Sequence, residues 1–359
     1  MMTIRATTTA SLCAALLAGC GARAVPSQAP PPSMADAVAL VEREDYAAAE
    51  PILEALLRER LAPPAEAHHY LGVCAQARGD FANAESHYRE ALRRQPALFE
   101  SRLNLGGVLG TLGRHAEALE MLRGLADAFP DEPQAHLALA FQQQTMGDLD
   151  AALASCRRAA GIDPTDVDAA LMEADILELQ GRHDDRPAAL EAALRRTAGD
   201  PRIAVTMADA YAGLGRPHEA IVMYVFATAA PGADATMLGG IALELRDLGA
   251  VDEALDAAAA GVERSADGPE HVRAVLTLAR IARGAGRADA AETALRSGLR
   301  RRPGDRVLSL YLGGILAEAG RCDEAAPLLR AARSAFAEDD PAGRHAAEAA
   351  AALVSCGAE

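Results

Sequence analysis

The 359-residue sequence contains no lysine and no tryptophan, and only 3% of its residues are aromatic. Without lysine, a Walker phosphate-binding loop and Schiff-base chemistry are both excluded. The sequence also lacks any Cys-x-x-Cys, His-Glu-x-x-His or Gly-x-Ser-x-Gly stretch. We therefore predict a chain that is not an enzyme and that carries no cofactor and no metal.

The fixed positive charge is carried by arginine alone, and the formal net charge is −16. Such an acidic surface argues against nucleic acid as a partner and against flat adhesion to anionic lipid headgroups. Half of the residues are hydrophobic. With so few aromatic residues among them, this composition favours helices that pack through alanine and leucine.

A repeat of 34 residues runs through most of the chain. Six glycines stand 34 residues apart, and two more, also 34 apart, follow after one interval of 37: Gly79, Gly113, Gly147, Gly181, Gly215, Gly249, Gly286 and Gly320. A fixed period of this length indicates one supersecondary unit copied many times. Each glycine falls between two helical stretches, where a residue without a β-carbon can adopt a left-handed conformation.

Small and large residues recur around these glycines. Repeat two contains Leu71-Gly72, Gly79-Asp80-Phe81, Ala84, Tyr88, Ala91 and Pro96. This pattern resembles the tetratricopeptide repeat (TPR), in which small residues occupy the eighth, twentieth and twenty-seventh places and proline the thirty-second. The resemblance implies an all-α, right-handed superhelical solenoid of about nine helix-turn-helix repeats over residues 34–340. We also expect a capping helix, Pro341–Ser355, within residues 341–359.

Two repeats depart from the pattern. In repeat five, Arg186-Pro187 occupies the place of the packing alanine. We expect the second helix of that repeat to start late, at Pro187, because proline is tolerated in a first turn. Repeat seven is followed by three extra residues, which we assign to the loop Ser265–His271.

The N-terminus has the layout of a secretory signal. Arg5 precedes an uncharged run from Ala6 to Gly19, which is too short to span a bilayer. Residues Leu17–Cys20 resemble the bacterial lipobox, which implies cleavage after residue 19 and acylation of Cys20. The alternative is an ordinary signal peptide with an accidental cysteine. Residues 20–33 then form a lipidated, proline-rich tether.

The remaining cysteines and the histidines are assigned structural roles. We interpret Cys74 and Cys156 as buried small residues on helices. Cys322 and Cys356 stand 34 residues apart and could form a disulfide that fastens the end of the solenoid, with two free thiols as the alternative. His68 and His69 are adjacent, so they point in different directions on a helix, and we predict two surface side chains.

The TPR resemblance places a concave groove on the first helix of each repeat. Carried over to this sequence, the groove includes Leu103, Leu137, Phe141, Asp168, Asp175, Glu178, Asp209, Arg246, Arg273, Arg280 and Arg283. It would change from apolar to acidic to basic along its length. An extended or helical protein segment with an apolar anchor would complement it. The alternative is that these charges form an ordinary solvated face.

Together these features predict a TPR scaffold, anchored by lipid in the bacterial cell envelope. We expect it to be attached to the outer membrane and to face the periplasm, with protein partners in envelope assembly. In this respect the sequence resembles the TPR lipoproteins that act as pilotins or as adaptors for cell-wall hydrolases. Two alternatives stay open. One is a non-catalytic regulatory subunit of a cell-wall or polysaccharide enzyme, and the other is a cytoplasmic TPR adaptor.

Overall fold

The structure, a computed structural model, describes residues 33–337 and 343–357. In this part of the chain the regular secondary structure consists of nineteen α-helices. They are α1 Met34–Glu42, α2 Tyr46–Glu59, α3 Pro64–Ala77, α4 Phe81–Arg94, α5 Phe99–Thr111, α6 His115–Ala128, α7 Pro133–Thr145, α8 Leu149–Ile162, α9 Val167–Leu179, α10 Asp185–Arg196, α11 Pro201–Gly213, α12 Pro217–Ala229, α13 Ala235–Asp247, α14 Val251–Arg264, α15 Pro269–Gly284, α16 Ala288–Arg301, α17 Arg306–Glu318, α18 Cys322–Ala337 and α19 Arg344–Ser355. The predicted all-α class is confirmed.

Successive helices pack in pairs within two compact units. The described residues up to Val108 form the first unit, and those from Leu109 onward form the second. In the first unit α1 packs on α2 and α3 on α4. In the second unit the pairs run from α7 with α8 to α17 with α18, and α19 packs against both α17 and α18. The helix-turn-helix repeats predicted from the 34-residue period are therefore present in each unit.

The turn inside each hairpin is built on the periodic glycine. All eight glycines of the series have a φ angle between 69° and 82°, as predicted. At the end of α3, the Gly79 amide donates to Gln76 and the Asp80 amide donates to Ala75, the hydrogen bonds of a Schellman turn. The Asp80 side chain then accepts from the Asn83 amide and caps α4. One Gly-Asp pair thus ends a helix and begins the next.

Repeat one has the same turn without its glycine. Glu44 has a φ angle of 62°, and the amides of Glu44 and Asp45 bond to Val41 and Leu40 as in the glycine turns. A side chain in the left-handed region costs about 1 kcal/mol or more. We expect Glu44→Gly to raise the free energy of unfolding of the first unit by about 0.5–1 kcal/mol, measured by denaturant titration.

The reverse substitution provides the control for this prediction. A β-carbon added at Gly79 would meet no atom within 4 Å, so Gly79→Ala changes backbone strain and little else. It should lower stability by a similar amount, about 1 kcal/mol. If Glu44→Gly and Gly79→Ala shift the unfolding midpoint in the same direction, the strain argument is wrong.

Repeats five and seven differ from the sequence expectation. Helix α10 begins at Asp185, two residues before the predicted Pro187, which instead is buried in the first turn. Proline needs no amide bond anywhere in the first turn, so α10 can start ahead of Pro187.

After repeat seven, the three extra residues lengthen α15 to 16 residues and leave a short loop before it.

The predicted signal segment 1–19, the acylation site Cys20 and nearly all of the tether lie outside the described residues. The capping helix α19 begins at Arg344, and the predicted start at Pro341 also falls outside them. Among the helices that are described, none combines the length and the apolar character needed to cross a membrane.

Candidate binding groove

One repeat position carries an exposed side chain on five consecutive first helices. Phe141, Asp175, Asp209 and Leu243 follow each other at 34-residue intervals on α7, α9, α11 and α13, and Arg280 follows on α15. All five are exposed, Phe141 to 61% and Leu243 to 39%. We call these five residues the groove row. Leu243 was missed in the sequence analysis, although its 34-residue spacing from Asp209 would have identified it.

The predicted apolar part of the groove reduces to one side chain. Leu103 on α5 is half-buried. Leu137 on α7 is also half-buried and packs against the core formed by Ala140, Ala152 and Cys156. Of the three predicted apolar groove residues, Phe141 is therefore the one whose side chain is exposed.

The predicted acidic residues are held by neighbours in the fold. Asp168 accepts from Arg202, 34 residues away on α11, at 3.2 Å. Glu178 lies 3.1 Å from His183 and 3.0 Å from Arg186. The hydrogen bond from His183, assisted by the charge of Arg186, lowers the pKa of the Glu178 carboxyl. At Asp175 the loss of hydration raises the pKa, even though the residue is still reached by solvent.

Asp209 joins the groove row to the core. Its carboxylate accepts a hydrogen bond from the hydroxyl of Tyr224, whose side chain is buried under α11 and α12. Burial and this hydrogen bond to a carboxylate both raise the pKa of Tyr224. The Asp209 carboxylate is therefore held in position by a side chain of the core.

Three of the four predicted basic residues also have partners within the chain. Arg246 pairs with Asp247 at 2.7 Å, and Arg283 pairs with Glu318. Arg280 donates to the hydroxyl of Tyr311. Arg273 lines a cavity of about 160 Å³ together with Thr236 and Leu243.

The arginines of α13 and α15 are therefore exposed but not isolated. Arg280 and Arg283 have their partners on the next first helix, α17, and these were missed because the sequence analysis considered each first helix separately. The 31- to 35-residue separations that bring these side chains together follow from the same period.

The histidine prediction was wrong about burial. His68 and His69 on α3 are half-buried, not surface side chains. The Nδ1 atoms of His68 and His87 lie 3.2 Å apart, and His69 bonds to Ser101 at 2.9 Å. Burial lowers the pKa of all three imidazoles. Within residues 33–337 and 343–357, no group of three or more His, Cys, Asp or Glu side chains could hold a metal ion.

The four cysteines of the described region fall into two classes. Cys74 and Cys156 are free and fully buried, as predicted. Burial raises the pKa of the Cys156 thiol to about 12, so it is not a reactive thiolate. Cys322 and Cys356 form a disulfide in the structure, with their Cα atoms 5.3 Å apart. It joins the start of α18 to the residue that follows α19.

The repeats match a known protein family over most of their length. The tetratricopeptide repeat family matches residues 35–99, 138–201, 205–269 and 276–341, and a second description of the same repeat matches residues 75–140. The chain belongs to the tetratricopeptide repeat family. TPR proteins are generally non-catalytic scaffolds for protein interactions. No curated protein matches the chain.

The chain is similar to several solved structures. A tetratricopeptide repeat protein of Parabacteroides merdae is 15% identical, with a TM-score of 0.46, over 77% of this chain and 95% of its own. A thermophilic TPR protein of Thermus thermophilus is 24% identical, with a TM-score of 0.40, over 51% of this chain and 99% of its own. MamA of Desulfovibrio magneticus is 20% identical, with a TM-score of 0.39, over 45% of this chain and 89% of its own. These similarities concern the fold only.

Proposed function

We propose that this TPR protein is a scaffold of the bacterial cell envelope, held at a membrane by acyl chains on Cys20. In this proposal its groove row binds an extended or helical segment of a partner protein during envelope assembly. The observation that carries the proposal is the groove row itself. Five consecutive first helices present an apolar, two acidic, an apolar and a basic side chain at one repeat position.

The groove row suits a protein segment better than a small molecule. Its members recur once per repeat, so a ligand must be long enough to meet several repeats in succession. Phe141 and Leu243 supply apolar contact, and the charges between and beyond them supply register. A segment with apolar residues beside basic ones, followed by an acidic residue, would complement this order. Its length and charge order would provide the specificity.

The membrane anchor is supported by the N-terminal sequence and by the cysteines. Arg5, the uncharged run and Leu17–Cys20 have the order of a lipoprotein signal. The disulfide between Cys322 and Cys356 fits an oxidising compartment such as the periplasm. Several acyl chains hold a soluble domain firmly at a membrane surface. The outer membrane is the location that we favour.

The anchor is tested by comparing the wild-type chain with Cys20→Ala in the native host. We expect the wild type in the membrane fraction, with an intact mass that begins at acylated Cys20. The variant should keep residues 1–19 and lack the acyl mass. If both proteins are found in the soluble fraction with residues 1–19 intact, the anchor proposal is wrong. Separation of the two membranes by density then tests the outer-membrane location.

The groove row is tested by photo-crosslinking in the same cells. A photoreactive phenylalanine analogue placed at position 243 should capture a partner, which mass spectrometry identifies. Adding Phe141→Ala should reduce the captured amount by about 10- to 100-fold. Removing the contact of one buried phenylalanine side chain costs about 1.5–3 kcal/mol of binding free energy.

The control for this experiment is Val222→Ala. Val222 is 59% exposed, and Phe141 is 61% exposed, so the two side chains are matched in exposure. Val222, however, lies on α12, the second helix of its repeat. Its removal should leave crosslinking unchanged. Equal losses with Phe141→Ala and Val222→Ala would show that the partner does not bind along the groove row. The identity of the captured protein then distinguishes a wall or polysaccharide enzyme from an assembly component.

A further inference from the structure

A small polar cavity lies beside the groove row between repeats five and six. It has a volume of about 230 Å³ and is lined by Glu178, His183, Arg186, Asp209, Gly213 and Leu214, with Ala210. We call it the Arg186 cavity. Sites for whole small-molecule ligands are about 300–1,000 Å³. The Arg186 cavity is therefore the size of a single side chain.

The cavity exists because repeat five breaks the packing pattern. The place of Arg186 is taken elsewhere by an alanine, and each of these is fully buried: Ala84, Ala118, Ala152, Ala220, Ala254, Ala291 and Ala325. The Arg186 side chain is only 14% exposed. Helix α10 starts at Asp185, four residues after Gly181, whereas the second helices of the other glycine repeats start two residues after their glycine. The arginine and the late helix start together leave the space that a close-packed hairpin would fill.

The charges around the cavity favour a cation. Arg186 is already paired with Glu178, which also contacts His183. Asp209 forms another part of the wall, and Asp175 lies near enough to feel the charge of Arg186. The cavity wall thus holds two carboxylates, one guanidinium and one histidine, and the Asp175 carboxylate lies nearby. The cavity also borders Gly213, the last residue of α11, and the C-terminal end of a helix carries partial negative charge.

We propose that the Arg186 cavity receives the basic side chain of a lysine or arginine carried by the partner segment. The proposal rests on the groove function and names one feature of the partner. The basic residue would lie beside Asp209 in the groove row. It would follow an apolar residue that contacts Phe141 and precede one that contacts Leu243. Asp209 and Glu178 would hold the cation, and Asp209 is already fixed by Tyr224.

The test is a titration of the full chain with a blocked pentapeptide that has one arginine among alanines. Binding is detected by NMR from the chemical shifts of the Gly213 and Leu214 amides. We expect saturable shifts at these amides. The combined variant Glu178→Gln and Asp209→Asn should weaken binding by about tenfold or more, because it removes both carboxylate contacts. Both changes keep an oxygen acceptor, so the contacts from Arg186 and Tyr224 can persist. If the double variant loses helical signal, Glu178→Gln alone replaces it.

Two controls test whether binding depends on the carboxylates of the cavity and on the charge of the peptide. Asp256→Asn removes an exposed carboxylate on α14, away from the cavity, and should leave binding unchanged. A peptide with neutral citrulline in place of arginine should bind at least about tenfold more weakly. Equal binding of the two peptides would overturn the proposal. So would preferential binding of a glutamate peptide, or equal effects of the double variant and Asp256→Asn.

The failure of this proposal is distinguishable from the failure of the groove function. If crosslinking at position 243 depends on Phe141 but the arginine peptide is not bound, the groove row binds a partner and the cavity proposal is wrong. If the arginine peptide binds while no partner is captured through the groove row, the cavity recognises cations and the groove function is wrong.

Discussion

Removing the disulfide between Cys322 and Cys356 should lower the stability of the C-terminal hairpin and its capping helix by about 3–4 kcal/mol. The bond closes a loop of 34 residues, and the loop-entropy relation gives about this value for a loop of that length. Helix α19 has 12 residues and buries only Ala349 and Leu353. A helix of this length is marginal in isolation, so it depends on being held against α17 and α18.

Hydrogen exchange measures this effect where it occurs. Repeat proteins unfold in local steps, so the loss should appear in the amides of α18 and α19 and fade toward α15. The double variant Cys322→Ser and Cys356→Ser should exchange like the reduced wild type. Reductant should then cause no further change in it, because Cys74 and Cys156 are already free. Equal exchange in the oxidised and reduced wild type, or alkylation mapped to Cys322 and Cys356 in the unreduced protein, would contradict the prediction.

The 34-residue period of the sequence was enough to predict the fold, because glycine recurs in the turns for a single physical reason. A left-handed residue is needed at the end of each first helix, and glycine adopts this conformation without strain. All eight positions of the series do so. Helix starts were less predictable where a repeat departs from the pattern. Proline indicates a first turn but not which residue of that turn it occupies, so the start of α10 was misplaced.

The side chains of the site were only partly predictable, because contacts between repeats depend on three-dimensional spacing. The repeat position that holds Phe141 also identifies Leu243, but neither residue type nor position shows that Leu137 packs on the core. The pairing of Asp168 with Arg202 follows from the 34-residue register. The Arg186 cavity does not, because it depends on where α10 starts and on a side chain that replaces an alanine.

Burial of the histidines was missed for a related reason. His68 and His69 were assigned to the surface because adjacent residues point apart on one helix. In a stack of hairpins a helix contacts several neighbours, so both directions can be covered. His68 meets His87 on α4, and His69 meets Ser101 on α5. The periodicity of a single helix therefore underestimates burial in a repeat protein.

The largest expected effect concerns the contact between Gly72 and Tyr88, which joins α3 and α4. Tyr88 is fully buried, and its hydroxyl donates to Gln76 at 2.9 Å. We expect Tyr88→Ala to lower the free energy of unfolding of the first unit by about 3–5 kcal/mol. Denaturant titration, with hydrogen exchange of α3 and α4, measures the loss.

Substitution of Gly72, the small residue of this contact, should also destabilise the first unit. A β-carbon at Gly72 would lie 2.6 Å from the Tyr88 ring, so Gly72→Ala should cost about 1–3 kcal/mol through overpacking. Gly240→Ala is the control, since a β-carbon there meets no atom within 4 Å. It should stabilise α13 by up to about 1 kcal/mol, the ordinary gain from replacing glycine inside a helix.

Combining the two substitutions in the first unit decides whether the contact is reciprocal. With the ring removed, Gly72→Ala no longer meets an obstacle and should regain the helix preference of alanine, about 1 kcal/mol. The double variant should therefore be as stable as Tyr88→Ala or slightly more stable, which gives a large coupling energy in a double-mutant cycle. Simple additivity of the two losses would show that Gly72 is restricted by something other than Tyr88. The repeat would then accommodate the tyrosine at position 88 for a reason other than the missing β-carbon at Gly72.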